Sequence, residues 1–297
     1  MKLQAALDGE RLERNGPAGR VSYYVLGQGE PVLLVHSVNA AASAREMQPV
    51  FDHLAPRRRV FALDLPGFGF SDRSRRDYGV DLFVAAVADM LALIEAECPG
   101  SPVDAMALSL GSEFLARAAA QTDSPPRTLT LITPTGFNRR AAESASTEPG
   151  NREVPGMLAG LSLPLLSPAL FGLLTTQASV NYFLKRTWGS DQIDQDLARY
   201  SYQTSHQPGA RYAPLAFLSG RLFSRDIPNV YRQLKMPVWV PHGTRGDFKD
   251  FSGADWARDL ENWRFQPFHS GALPHFEQPV EFCESLDIFL DSSISAS

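Results

Sequence analysis

Apolar positions along the chain alternate between two periods. Short β-branched and aromatic runs, VSYYVLG followed by PVLLVHS (31–37), read as consecutive strands. Residues 43–55 then carry Met47, Val50, Phe51 and Leu54 at helical spacing, and Pro56 closes that segment before the run VFALDLPG (60–67). The rhythm continues. DLFVAAVADMLALIEAE (81–97) has a helical period, PVDAMAL (102–108) reads as a strand, LGSEFLARAAA (110–120) as a helix and TLTLITP (128–134) as a strand. After a gap it resumes with the strand MPVWVPH (236–242), a helix near ADWARDLEN (254–262), the strand WRFQPF (263–268) and the amphipathic helix PVEFCESLDIFL (279–290), with SSISAS expected to fray. Strand and helix in alternation predict an α/β fold, a mostly parallel central sheet flanked by helices on both faces.

Between 136 and 228 the alternation fails. The segment is polar and turn-rich, then apolar and interrupted by prolines, and it reads as an insertion of short helices. The predicted organisation is therefore a core of 1–135 and 229–297 with a helical lid, or cap, at 136–228. Residues 154–174 are apolar enough to suggest a membrane span. Pro155, Pro164 and Pro168 with Gly156, Gly160 and Gly172 argue against one, because a lone helix in lipid must satisfy every backbone group internally. Short helices over an apolar pocket are the expectation, with shallow membrane contact as the alternative.

Composition narrows the partners. With 28 Lys and Arg against 33 Asp and Glu, a net charge of -5 leaves no basic stripe for a phosphate backbone, so nucleic acid is not an expected partner. The 2 cysteines, Cys98 and Cys283, supply neither a disulfide framework nor a metal cage. The first sixteen residues interleave charges where a secretory leader needs a continuous apolar centre, and a cytoplasmic monomer or homodimer is expected.

Candidate chemistry gathers where strands end. Ser109 lies between a strand and a helix in Ala107-Leu108-Ser109-Leu110-Gly111, small residues flanking it at two positions' remove. Such a turn lifts a serine above the sheet's carboxyl edge; a helix N-cap is the plainer reading of the same residue. His275 lies in Gly271-Ala272-Leu273-Pro274-His275-Phe276-Glu277-Gln278-Pro279, after the last strand and before the last helix. Asp247 follows the strand MPVWV in His242-Gly243-Thr244-Arg245-Gly246-Asp247, with Asp250 as a competitor and a turn role open to either. His53, His206, His242 and His269 read as structural or solvated.

These segments resemble the α/β-hydrolase superfamily. Ser109 sits in what looks like its nucleophile elbow, with Ala107 in place of the usual first glycine. The 271–279 segment resembles its histidine loop, and His36-Ser37 its His-Gly pair, with Ser37 replacing the glycine. Asp64-Leu65-Pro66-Gly67-Phe68-Gly69-Phe70-Ser71-Asp72 looks like a family turn and is read as a tight surface turn without catalysis. The resemblance implies a lid-bearing serine hydrolase with the catalytic set Ser109, Asp247 and His275. It implies an oxyanion hole from the backbone N–H groups of Val38 and Leu110, with Asn39 as a further donor. No metal or organic cofactor is called for. A serine at the elbow also speaks against the dehalogenase and epoxide hydrolase chemistry of related enzymes, which requires a carboxylate there.

The lid leucines suggest an apolar ceiling, and Leu166, Leu170 and Phe171 are the expected substrate contacts, self-packing of the lid being the alternative. The reading is hydrolysis of a carboxylic ester with a hydrophobic acyl or alcohol part through an acyl-enzyme. A carbon–carbon bond hydrolase, a thioesterase and a cofactor-free haloperoxidase would use the same three residues. A non-catalytic ligand-binding homologue is the reading from another class.

Overall fold

In a computed structural model, described here for residues 2–143 and 145–294, the chain opens with a hairpin. Its strands are β1 (Glu10–Gly16) and β2 (Gly19–Leu26). β1, ERLERNG, is largely exposed, so no alternation of apolar and polar positions marks it in the sequence; it forms by pairing antiparallel with β2. The remaining strands are β3 (Pro31–Val35), β4 (Arg59–Asp64), β5 (Asp104–Leu108), β6 (Thr128–Ile132), β7 (Val238–Gly243) and β8 (Trp263–Phe268). They form one eight-stranded sheet in the order β1-β2-β4-β3-β5-β6-β7-β8, parallel from β4 to β8. Every residue of β3 and β5 is buried, as expected of strands covered on both faces.

Helices cover the sheet on both sides. The segment predicted as a helix over 43–55 begins as a 3-10 turn, Ala44–Met47, and continues as α1 (Gln48–Leu54), with Pro49 in the first helical turn, where its missing N–H costs nothing. α2 (Val80–Glu97) and α3 (Gly111–Gln121) pack together, with Phe83 stacked on Phe114 at 4.8 Å. Between β6 and β7 lie α4 (Arg139–Glu143), α5 (Met157–Leu161), α6 (Leu166–Leu174), α7 (Gln177–Trp188), α8 (Gln195–Ser205), α9 (Tyr212–Leu218) and α10 (Ile227–Gln233). The apolar stretch at 154–174 is thus divided between two short helices, and no helix among the described residues is long and apolar enough to cross a membrane. α11 (Asp255–Arg258), α12 (Pro274–Glu277) and α13 (Pro279–Ile294) complete the chain. α11 is shorter than the helix read over 254–262, and the end of the tail expected to fray, 295–297, lies outside the described residues.

The strand order locates the site. From β3 the chain steps outward to β4, then returns to the other side of β3 to form β5. Loops leaving the carboxyl ends of β3 and β5 therefore diverge, and a crevice opens between them. The loop after β3 begins at His36 and that after β5 carries Ser109.

Candidate active site

Ser109 has φ 52°, a left-handed conformation that a non-glycine residue adopts only under constraint. Its N–H donates to the Ile132 carbonyl at the end of β6 (2.9 Å), and its carbonyl accepts from Ser112 N–H (3.0 Å) as α3 begins. Gly111 allows the turn to close. A Cβ there would lie 2.3 Å from the His36 carbonyl oxygen, so the loops after β3 and β5 touch where only a glycine fits. Ala107, where the family's elbow usually has glycine, is buried in β5 and accommodated.

Two adjoining cavities lie above this turn. The inner one, about 120 Å³, is lined by Ser109, Val38, Leu110, Ala272, Leu273 and Leu184, among others. The outer one, about 450 Å³, is lined by Leu174, Val180, Phe183, Leu218, Arg186 and Asp247, among others. Asn39, Glu46, Leu184, Thr187, Phe217 and Phe248 border both, which makes them one continuous site. Val38 and Leu110 line the inner cavity together with Ser109, and neither N–H has a partner among the described residues. Asn39 is not a free donor. Its Nδ2 donates to Glu46 Oε1 (2.7 Å) and to Ser37 Oγ (3.0 Å).

The structure does not bring Ser109, His275 and Asp247 together. The loop after β8 is pinned by the bond from Ala272 N–H to the Thr187 carbonyl (2.9 Å) and by Thr133 Oγ donating to the Ala272 carbonyl (2.9 Å). Ala272 and Leu273 consequently face the Ser109 cavity. His275, one step into α12, points behind it, where Nε2 bonds the Glu46 carbonyl (2.8 Å) and Nδ1 has no partner among the described residues. The ring is fully buried, and that burial, opposed by the bond to Glu46, pulls its pKa down to about 4. A histidine that acts as base needs one ring nitrogen at the nucleophile and the other on an acceptor. Nε2 meets the second condition on the Glu46 carbonyl, but Nδ1 reaches neither Ser109 nor any other partner among the described residues, so the first is not met.

Asp247 borders the outer cavity only, and its Oδ2 accepts from Arg186 Nε (2.6 Å). Asp250 is exposed and plays the turn role, accepting from Ser252 N–H (3.0 Å), Ser252 Oγ (2.6 Å) and Arg139 N–H (3.2 Å). Hydrogen bonds from Ser252 hold its carboxyl below the usual value. The expected ceiling also differs. Leu166, Leu170 and Phe171 border neither cavity: Leu166 is 47% exposed, while Phe171 is buried. α7 and α9 supply the apolar wall instead, together with Leu174 and Phe248. Periodicity marked α6 as apolar without saying which face turns inward.

His36, buried, accepts the Leu65 N–H at Nε2 (2.9 Å), and desolvation lowers its pKa to about 3. The turn after β4 is more interior than expected of a surface turn. Asp64, Leu65 and Phe68 are buried, and Asp64 accepts the N–H groups of Ala44 and Phe70 (2.9 Å each). One further group was missed in the sequence. Glu46 borders both cavities, and among the described residues it is the one ionisable side chain of the inner cavity. Its position four residues before Val50 and eight before Leu54 places it on the apolar stripe of the helix read over 43–55, a signal that could have flagged it.

The chain belongs to the alpha/beta hydrolase fold family, which it matches over residues 30–277. Over 191 residues it is 26% identical to the 2-hydroxy-6-oxo-2,4-heptadienoate hydrolase of Pseudomonas putida, a match spanning 63% of this chain and 60% of that protein. It is 29% identical over 287 residues to an uncharacterized protein of Mycobacterium tuberculosis, covering 92% of this chain and 79% of the relative. Among solved structures it is similar to the meta-cleavage product hydrolase of Pseudomonas fluorescens, with a TM-score of 0.72 at 19% identity over 95% of this chain and 98% of that one.

Proposed function

We propose that this protein is a hydrolase that holds a small, hydrophobic carbonyl compound in the paired cavities and attacks it with Ser109. The observation that carries the reading is the serine itself, held at φ 52° on the turn between β5 and α3 and bordering an apolar cavity. Strain of this kind persists where the surrounding structure imposes it, commonly at active sites. The N–H groups of Leu110 and Val38 border the same cavity and would receive the oxyanion. The walls favour an ester with a hydrophobic acyl or alcohol part: Leu184, Phe217, Phe223 and Phe248 surround few polar groups. The helices between β6 and β7 act as the lid over it.

A carbon–carbon bond substrate is the neighbouring chemistry, favoured by the similarity to the heptadienoate hydrolase. A ligand-binding protein without turnover is the second reading, and it is favoured by the absence of any imidazole from the cavity lining among the described residues. Fluorophosphonate labelling read by intact mass separates the two. Wild-type protein is expected to gain one adduct and to hydrolyse p-nitrophenyl butyrate, while Ser109→Ala does neither. An unlabelled wild-type protein that binds small apolar ligands would establish the second reading.

A further inference from the structure

A serine and a carboxyl group border the same inner cavity, and the fold goes to some length to hold the carboxyl group still. Glu46 lies on the 3-10 turn between β3 and α1 and is 7% exposed. Its Oε2 accepts the Ser37 N–H (2.9 Å) and its Oε1 the Asn39 amide (2.7 Å), while Asn39 Oδ1 accepts the Ala41 N–H (2.7 Å). The backbone of the turn is tied down from beneath by His275 Nε2 on the Glu46 carbonyl (2.8 Å). No lysine, arginine or histidine forms an ion pair with this carboxylate among the described residues. Burial raises its pKa above the ordinary glutamate value, against the opposing hydrogen bonds from Ser37 and Asn39.

A buried carboxylate without a cation destabilises a fold, and a neutral side chain of similar shape would pack there at less cost. Such groups are kept where they work. The turn needs an acceptor for Ser37 and Asn39, and a neutral amide could accept there without carrying a charge.

We propose that Glu46, and not His275, is the general base that activates Ser109; this rests on the hydrolase reading above. In the first half-reaction Ser109 Oγ bonds to the substrate's carbonyl carbon as its proton passes to the Glu46 carboxylate, and the oxyanion is held by the N–H groups of Leu110 and Val38. Collapse breaks the bond to the leaving alkoxide, which takes the proton from Glu46, leaving an acyl-serine. Water then attacks the acyl carbon, giving its proton to Glu46. When that second intermediate collapses, Ser109 Oγ leaves and recovers the proton, so acid, alcohol and free enzyme result. Ser37 and Asn39 act as positioning residues, aiming the carboxylate by their hydrogen bonds, and His275 fixes the turn that carries it.

The test compares p-nitrophenyl butyrate hydrolysis and fluorophosphonate labelling in wild type, Ser109→Ala, Glu46→Gln and Glu46→Ala. Glu46→Gln is expected to lower kcat by about 10²- to 10⁴-fold with KM changed little, and to slow labelling in parallel. It should unfold within a few degrees of wild type, since it removes a buried charge and keeps an acceptor for Ser37 while losing the bond from Asn39. Glu46→Ala should regain turnover with added formate, in a saturable way, and not with imidazole. Turnover of Glu46→Gln within about threefold of wild type, with Ser109→Ala inactive, overturns the assignment of Glu46 and leaves the hydrolase reading intact. If Glu46→Gln fails to fold, formate decides: a folded Glu46→Ala protein that formate cannot restore also overturns it. Full activity in Ser109→Ala, or no labelling and no turnover in wild type, removes both.

Discussion

Replacing His275 with glutamine should flatten part of the protein's acid sensitivity, and the size of the effect follows from how the ring is held. In the fold the imidazole is fully buried and protonates only near pH 4, whereas in an unfolded chain it titrates near 6.5. A group whose folded pKa is depressed contributes its full stability above the unfolded value and loses it as pH falls toward the folded one. At pH 5.5 the unfolded chain has gained about RT ln 11, roughly 1.4 kcal/mol, from a proton that the folded ring refuses. Below pH 4 the loss levels off at about 3.4 kcal/mol, the full separation of the two values. Glutamine carries no titrating proton, and its amide can still donate to the Glu46 carbonyl. Between pH 8 and 5.5 wild type should therefore lose about 1.4 kcal/mol more than His275→Gln, a difference of roughly 3 °C in melting temperature. His36, Asp64, Glu46 and Glu113 also have displaced pKa values, His36 sloping the same way and the buried carboxyls the opposite way. They are common to both proteins and cancel in the difference. Parallel melting curves across that range would mean that the imidazole takes up its proton within the fold, contrary to its burial behind Glu46.

Two further substitutions probe the frame of the site. Gly111→Ala places a methyl 2.3 Å from the His36 carbonyl oxygen, so the loops after β3 and β5 must separate. Fluorophosphonate labelling should fall by at least about tenfold while circular dichroism stays near wild type, because a small displacement at the nucleophile is enough to misalign attack. Wild-type labelling kinetics would show that the contact is not part of the site's geometry. Asp104 is fully buried at the start of β5, where it receives Arg58, Arg127 Nε (3.0 Å) and Thr128 Oγ (2.8 Å). Asp104→Ala leaves the Arg58 and Arg127 guanidinium groups with Glu30 alone (3.3 and 2.7 Å) and should cost about 3 kcal/mol in urea unfolding; a loss below about 1 kcal/mol would place the cluster among those that solvent screens.

The contrast between what could and could not be read from the residues has one physical origin. Strand, helix and elbow are consequences of short-range pattern, so the parallel sheet and the placement of Ser109 at a strand end follow from PVDAMAL running into LGSEF. β1 escaped because its residues are mostly polar and it is stabilised by its partner strand. The rest of the site depends on phase. α12 is one turn long, and whether its residue 275 or the loop residue 272 faces the crevice is decided by Thr187 and Thr133 gripping Ala272 from elements that lie far away in sequence. The same holds for α6, whose apolar character was legible but whose inward face was not. Chain order could place a histidine near the right sheet edge, yet its ring nitrogen sits on a backbone carbonyl. The carboxyl group that reaches the cavity comes from the first crossover, where an acid sits on an apolar helical stripe and accepts from Ser37 and Asn39. The motif thus located Ser109 at its strand end, while a charged residue out of keeping with its apolar stripe marked the carboxyl group that borders the same cavity.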